Sequence, residues 1–290
     1  ECRVVSEHLR GPADPDGVRV ERYQTWFAGE APWILTGAAH VAALRGLEER
    51  WPTLEAEGAT RVGIGVATGS DEAYIVGADV DIEPDRLVPL VMRDDITAGH
   101  IRDARRYVIN TFAADGRPIE LSDYPRLAAH FYRFERVRSR HVAQKNPSAW
   151  FRTIDRVYPE LARTPKLLIP DIAGSNQVAH DPGSYHPHHN LYFVTSSAWD
   201  LEVLGGLLSS KVALFFVWSY AVKMRGGYLR FQAQYLRRIR VPPASAVPPS
   251  LASEIAAAFR GRRFDDLDAL ALRAYEIPSL PDFPFVDTRS

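Results

Sequence analysis

Cysteine is almost missing from the chain: Cys2 is the only one among 290 residues. That excludes an internal disulfide and any zinc site built on several thiolates, and it fits a reducing compartment. No uncharged apolar stretch reaches the roughly 20 residues that a membrane-spanning helix needs. The most hydrophobic run, residues 212–222, is bounded by Lys211 and Lys223 and reads as a buried helix. No secretory pattern opens the chain. The partners expected therefore include no membrane, and the expected location is the cytoplasm. Charge of one sign is not in excess either, since the formal net charge is -1, and 46% hydrophobic with 24% charged residues is an ordinary globular composition. The first residue is Glu1 rather than methionine, which reads as processing or as a segment of a longer polypeptide.

Catalytic motifs are also scarce. The stretch "VGIGVATGSDEAYIV", residues 62–76, places glycines as Gly63-x-Gly65-x-x-x-Gly69. This spacing matches neither a dinucleotide loop nor a P-loop, and Tyr74, Ile75 and Val76 prefer strand to the helix that a phosphate loop requires. Two short strands joined by a glycine turn are expected. An amine-directed methyltransferase needs a polar residue, two prolines and an aromatic in a row to hold a flipped base. The two Pro-Pro pairs, Pro242-Pro243 and Pro248-Pro249, are preceded by valine and followed by Ala244 and Ser250. Pro170-Asp171 has no acid-x-Lys after it, as a metal-dependent nuclease would. His180, His186, His188 and His189 form a tempting cluster, but Pro182, Gly183 and Pro187 make the segment a loop between strands, so surface histidines are expected rather than a metal site. No catalytic residue, no metal and no cofactor is assigned to this chain.

What the chain does have is segregated charge. Residues 71–95 carry eight acids against Arg86 and Arg93, whereas residues 211–240 carry seven bases and no acid, and residues 102–145 carry ten Lys/Arg against five Asp/Glu. Two basic stretches interleaved with aromatics point to an anionic polymer despite the near-zero net charge. Helical spacing appears through Val41, Leu44, Leu47 and Trp51, from Pro125 to about Ala143, over residues 199–220, and in two short pieces at 251–259 and 265–275. Strand patterns fall at 60–66, 73–77, 87–91, 106–111, 166–169, 191–194 and 228–231. Without a regular βαβ rhythm, the expected class is α+β: a mixed, largely antiparallel sheet with packed helices and a short helical C-terminal tail.

Several stretches together resemble the TaqI-like C-terminal specificity domain of adenine-N6 DNA methyltransferases and fused restriction-modification enzymes. "GIGVATGSDEAYIV" resembles the family's opening hairpin, and "LVMRDDI" at residues 90–96 its arginine loop, though without the family's glycine. "YVINT", "DYPRLAAHFYRF" and "TPKLLIPDIAGSNQVAHDPGSYHPHHNLYFVTS" follow in the family's order, then "LGGLLSSKVALFFV" and "GGYLRFQAQYLRRIRVP". The resemblance covers about residues 58–243. It implies a connector with one helix over 1–57, a target-recognition domain over 58–243, and a proline-rich linker and helical tail over 244–290. It also implies double-stranded DNA as partner and a methyltransferase catalytic domain upstream in the same polypeptide, where S-adenosylmethionine would bind. The residues it marks for DNA contact are Arg93, Lys211, Lys223, Arg225, Gly227, Tyr228, Arg230, Gln232, Gln234 and Arg237. Arg225 and Arg230 lie in the acid-free stretch, so no nearby carboxylate in sequence competes for them. The alternative is a stand-alone DNA- or protein-binding module with no methylase attached, and, further off, a small-molecule enzyme using the histidine loop.

Overall fold

Leu167, Leu168 and Ile169 form an apolar run without alternation, as expected of a strand covered on both faces. The computed structural model describes residues 34, 36–56, 58–175 and 177–287; Cys2 and most of the expected connector lie outside them. In it the strand Lys166–Pro170 is buried at every position and lies inside a four-stranded antiparallel sheet. The spatial order is Thr60–Ile64, Leu191–Ser196, Lys166–Pro170, Ala179–Asp181. Leu167, Ile169, Tyr192 and Val194 face a large core that also takes in the helices Ala38–Arg50, Leu201–Ser209, Lys211–Tyr220, Pro249–Arg260 and Phe264–Ala274. Leu168, Leu191 and Phe193 face the other way, onto Val91 and Ile96.

A second sheet stands beside the first, ordered His186–Pro187, Leu87–Val91, Arg106–Ile109, Ile75–Gly77. Its pairings are antiparallel except that His186–Pro187 runs parallel to Leu90 and Val91. The fold is therefore α+β with mixed, largely antiparallel sheets. The tail helices share the main core rather than hanging from the body.

The strand Lys166–Pro170 begins with a lysine, which is costly to bury unless paired. Lys166 Nζ lies 2.7 Å from Asp181 Oδ2 with both side chains fully buried, and also donates to the Thr164 carbonyl at 2.8 Å. Burial lowers the pKa of Lys166, and the hydrogen bond to Asp181 opposes that shift. The carboxylate is used further. Asp181 Oδ1 accepts the backbone N–H groups of Gly183 (3.1 Å) and Ser184 (2.8 Å), and Oδ2 that of Tyr185 (3.2 Å). Asp181 thus shapes the turn that delivers His186 and Pro187 to the second sheet.

Four expectations are corrected. The glycine stretch is not a hairpin: Thr60–Ile64 pairs with Leu191–Ser196, while Ile75–Gly77 pairs with Arg106–Ile109 in the other sheet, and Asp71–Tyr74 is a helical turn between them. Gly63 and Gly65 serve close approach, because a Cβ would meet the Phe193 ring at the first and the Pro187 and His188 carbonyl oxygens at the second; only Gly69 has a left-handed backbone, φ 80°. The helix expected from Pro125 to about Ala143 is three pieces, Pro125–Phe131, Glu135–Ser139 and His141–Lys145. At the second break Arg140 is extended, and its guanidinium donates to the carbonyls of Thr68 (2.9 Å), Trp150 (3.1 Å) and Arg152 (2.7 Å). The helix expected over 199–220 bends by 59° at Ser210, whose hydroxyl donates to Leu207 O (2.6 Å) and caps the next helix. No single helix among the described residues is long and apolar enough to cross a membrane. The histidine segment, finally, is not a loose loop, since His180 pairs with Leu167 in a strand and His186 and His188 are buried.

Replacing one partner of a buried ion pair strands the other charge, so Lys166→Met is expected to destabilise the fold by about 3–5 kcal/mol. Equilibrium denaturation checks this, and a loss below about 1 kcal/mol would mean that Asp181 is held by its backbone donors alone.

Candidate nucleic-acid interface

The acid-free stretch leaves the core at Ala221 and returns at Leu229. Between them the chain doubles back. Lys223 bridges to Leu229, the Met224 N–H donates to the Tyr228 carbonyl at 2.8 Å, and the Gly227 N–H to the Met224 carbonyl at 3.2 Å. The reversal depends on Gly226 and Gly227, whose φ values of 82° and 80° are left-handed conformations that suit glycine. Every residue from 222 to 228 is exposed, including three large apolar ones, Val222 at 61%, Met224 at 38% and Tyr228 at 39%. Such a cluster on a projecting turn is unusual unless something covers it. Arg225 stands among them with no ion pair to a described residue. Lys223 is held differently, donating to the Trp218 carbonyl at 3.0 Å with its ammonium over the Trp218 ring, and burial lowers its pKa.

Other marked residues have protein partners that their sequence neighbourhood did not disclose. Arg230 pairs with Asp171, and its strand Leu229–Arg230 lies against Ile172 and Ala173. The premise that no carboxylate is available to Arg230 is thus corrected, because the fold brings one from 59 positions away. Arg237 Nε donates to Glu55 Oε2 at 2.9 Å and Nη2 to the Val62 carbonyl at 2.7 Å, while the Val62 N–H donates to Glu55 Oε1 at 2.6 Å. Arg237 and Glu55 together cap the outer edge of the strand Thr60–Ile64. Lys211 sits 3.3 Å from Asp268 of the C-terminal helix. Arg93 is in the turn Arg93–Asp95, its backbone N–H bound to Asn190 Oδ1 (3.2 Å) and its guanidinium 3.4 Å from Asp94. Gln232 and Gln234 touch each other at 3.2 Å just after the Arg230 strand.

A groove of about 730 Å³ runs beside the edge of Thr60–Ile64. Arg61, Arg156 and Arg237 line it, with Ile64, Tyr158 and Phe193 supplying apolar wall. Neither Arg61 nor Arg156 was marked from the sequence. Arg61 carried a legible signal, since it alternates with buried Val62 along a strand and so must face outward. Arg156, in an irregular segment, carried none.

Residues 106–241 match the model of the TaqI-like C-terminal specificity domain. The chain carries a specificity domain of this family. The match contains the exposed turn, the Arg230 strand and the glutamines, and the sheet pairing of Thr60–Ile64 with Leu191–Ser196 ties the preceding segment to it. The chain is also 46% identical over 248 residues to the type II methyltransferase M.BstVI of Geobacillus stearothermophilus, covering 83% of this chain and 44% of that protein. It is 50% identical over 225 residues to the type II methyltransferase M.XhoI of Xanthomonas vasicola, covering 77% of this chain and 41% of the relative. The chain thus spans less than half the length of these relatives. Among solved structures, the Type IIL restriction-modification enzyme MmeI in complex with DNA shares the fold, with a TM-score of 0.54 at 13% identity over 77% of this chain and 33% of that one.

The geometry separates arginines that hold the specificity domain together from one that does not. Arg237→Ala leaves the Val62 carbonyl and Glu55 Oε2 without their donor and is expected to cost about 1–3 kcal/mol of stability. Arg225→Ala removes no such contact and should stay within about 0.5 kcal/mol of the parent. Thermal and denaturant unfolding of the two variants side by side checks the contrast, and equal losses would contradict it.

Proposed function

We propose that this chain reads DNA sequence, as the specificity part of an adenine-N6 DNA methyltransferase or restriction-modification enzyme in the cytoplasm. The observation that carries the reading is the exposed turn at residues 222–228, inside the segment of the family match, offering an unpaired arginine, an exposed tyrosine and glycine backbone that Val286 touches on one side at Gly227. Arginine reads guanine bidentately, glutamine reads adenine, and glycine lets backbone come close to a phosphate. Arg225, Gly227, Tyr228, Arg230, Gln232 and Gln234 form the proposed reading surface within residues 58–243. Arg93, Lys223 and the groove arginines Arg61 and Arg156 lie outside that set as proposed phosphate holders, which fix register without reading bases. Lys211 and Arg237 contribute positive potential while bound to Asp268 and Glu55.

Methyl transfer needs a second unit. The glycine stretch at 63–69 does not fit S-adenosylmethionine, because the space over Gly63 and Gly65 is filled by Phe193 and by the backbone at Pro187 and His188. The cofactor and the flipped adenine belong, in this reading, to a catalytic domain that precedes this segment in a polypeptide of the relatives' length. The part played here is to fix which base pair that domain meets.

Two outcomes are expected. Incubated with labelled S-adenosylmethionine and mixed-sequence duplex, the chain alone incorporates no methyl group, and incorporation above background would place a catalytic site within it. In binding titrations the chain takes up duplex DNA with an affinity that falls steeply with salt, each phosphate contact adding about 0.9 to the log–log slope. Arg225→Ala is expected either to lower that slope by about one or to cost about 1–3 kcal/mol at one base pair. A salt-independent affinity that Arg225→Ala leaves unchanged would remove the reading.

A further inference from the structure

Asp71, His188 and His189 come together where the two sheets meet, with one ligand atom from each lying within 4.8 Å of the others. The DNA-reading surface does not use them. Asp71 opens the helical turn after the glycine stretch, whereas the histidines follow the turn shaped by Asp181, 117 positions later.

Their placement is unusually rigid. The His188 N–H donates to the Val91 carbonyl (3.0 Å), the His189 N–H to the Val66 carbonyl (3.0 Å), and the Leu191 N–H to the His188 carbonyl (2.9 Å). Gly65 packs so tightly beneath that the histidine backbone cannot drop toward it. Asp71 is oriented in turn, because the Thr68 hydroxyl donates to Asp71 Oδ1 at 2.6 Å. His188 is 2% exposed, with Nε2 at 3.2 Å from Asp71 Oδ1 and Nδ1 buried without a hydrogen-bond partner. His189 is exposed, and its ring centre lies 4.0 Å from that of His188.

We infer that Asp71, His188 and His189 bind a divalent transition-metal ion of the zinc type, which clips the segment carrying the histidines to the turn at 68–71. The donor set is two imidazoles and one carboxylate, which suits Zn²⁺, Co²⁺ or Ni²⁺ rather than the all-oxygen preference of Mg²⁺ and Ca²⁺. In a tetrahedral site with bonds of about 2.0–2.1 Å, ligand atoms are about 3.3 Å apart. The His188–Asp71 separation already has that value, and His189, being exposed, can close the remaining distance by turning its ring. Three protein ligands leave one position for water. On binding, the Asp71 oxygen changes from hydrogen-bond acceptor to co-ligand, and the imidazole proton moves to Nδ1. No acceptor awaits it there, so the site lacks the outer support that typically adds 10- to 100-fold in affinity. A dissociation constant well above that of a structural zinc finger follows.

The test uses the whole chain. Titration with Co²⁺, followed by visible absorption, and with Zn²⁺, followed by calorimetry, is expected to show one ion per chain and a higher melting temperature with Zn²⁺. His189→Ala, on an exposed side chain that the fold does not need, and Asp71→Asn should each weaken binding at least about tenfold. They should also abolish the thermal shift, while His100→Ala, at an exposed histidine outside the cluster, changes neither. No uptake of either ion by the parent chain, or uptake that survives both His189→Ala and Asp71→Asn, overturns the assignment.

Discussion

The buried pair of Lys166 and Asp181 is the contact on which the arrangement of the two sheets rests. Two charges without solvent are tolerated here because each finds more than the other. The ammonium also reaches the Thr164 carbonyl, and the carboxylate takes three backbone N–H groups of the following turn. Its strength as a stabiliser is less important than its directionality, since a hydrophobic pair would fill the same space without organising the turn. From that turn the chain reaches His186 and Pro187, which add a parallel strand to the second sheet, and then His188 and His189, which seat against Val66 and Val91. Asn190 then meets both Arg93 and Asp171, and Asp171 holds Arg230. A continuous run of contacts therefore leads from one buried ion pair to the edge of the proposed reading surface.

Arginine does two kinds of work in this molecule. Arg140 ties three segments together through carbonyl oxygens, with no carboxylate among its hydrogen-bond partners, and sits over the Tyr74 ring. Arg237 covers an open strand edge, and Arg262 donates to the Val178 carbonyl at 2.9 Å. The planar fork of guanidinium donors suits such tasks, and lysine would not replace it. Counting basic residues along the chain therefore overstates the charge available to DNA. Among the described residues, Arg225 on its glycine turn and Arg61, whose side chain points outward from the edge strand, are two that no carboxylate claims.

How far the sequence could be read depended on the range of the interaction. Apolar faces such as Val41, Leu44 and Leu47 on one helix, or the run at 167–169, are local properties and were legible. The glycine stretch was legible as two strands but not as strands of different sheets, because a period of two is the same whichever partner a strand takes. Helix pattern continued through Arg140 and Ser210: Arg140 turns to carbonyls not adjacent in sequence, whereas at Ser210 the hydroxyl bonds locally to Leu207 and Ala213 while the next N–H, that of Lys211, goes to the distant Asp268. The carboxylates that claim Arg230 and Arg237 lie 59 and 182 positions away. Only topology brings them close, which is why an acid-free stretch looked more available than it is. The histidines misled in the opposite direction, since prolines that signalled a loop in fact stand in a strand and a tight turn.

Selection from a randomised duplex pool at low salt asks whether this chain discriminates sequence rather than merely binding charge. Enrichment of one short motif by the parent chain is expected, with Arg225→Ala binding the same pool while losing preference at one position or enriching nothing. Recovery of the pool without enrichment by a folded parent chain would contradict it.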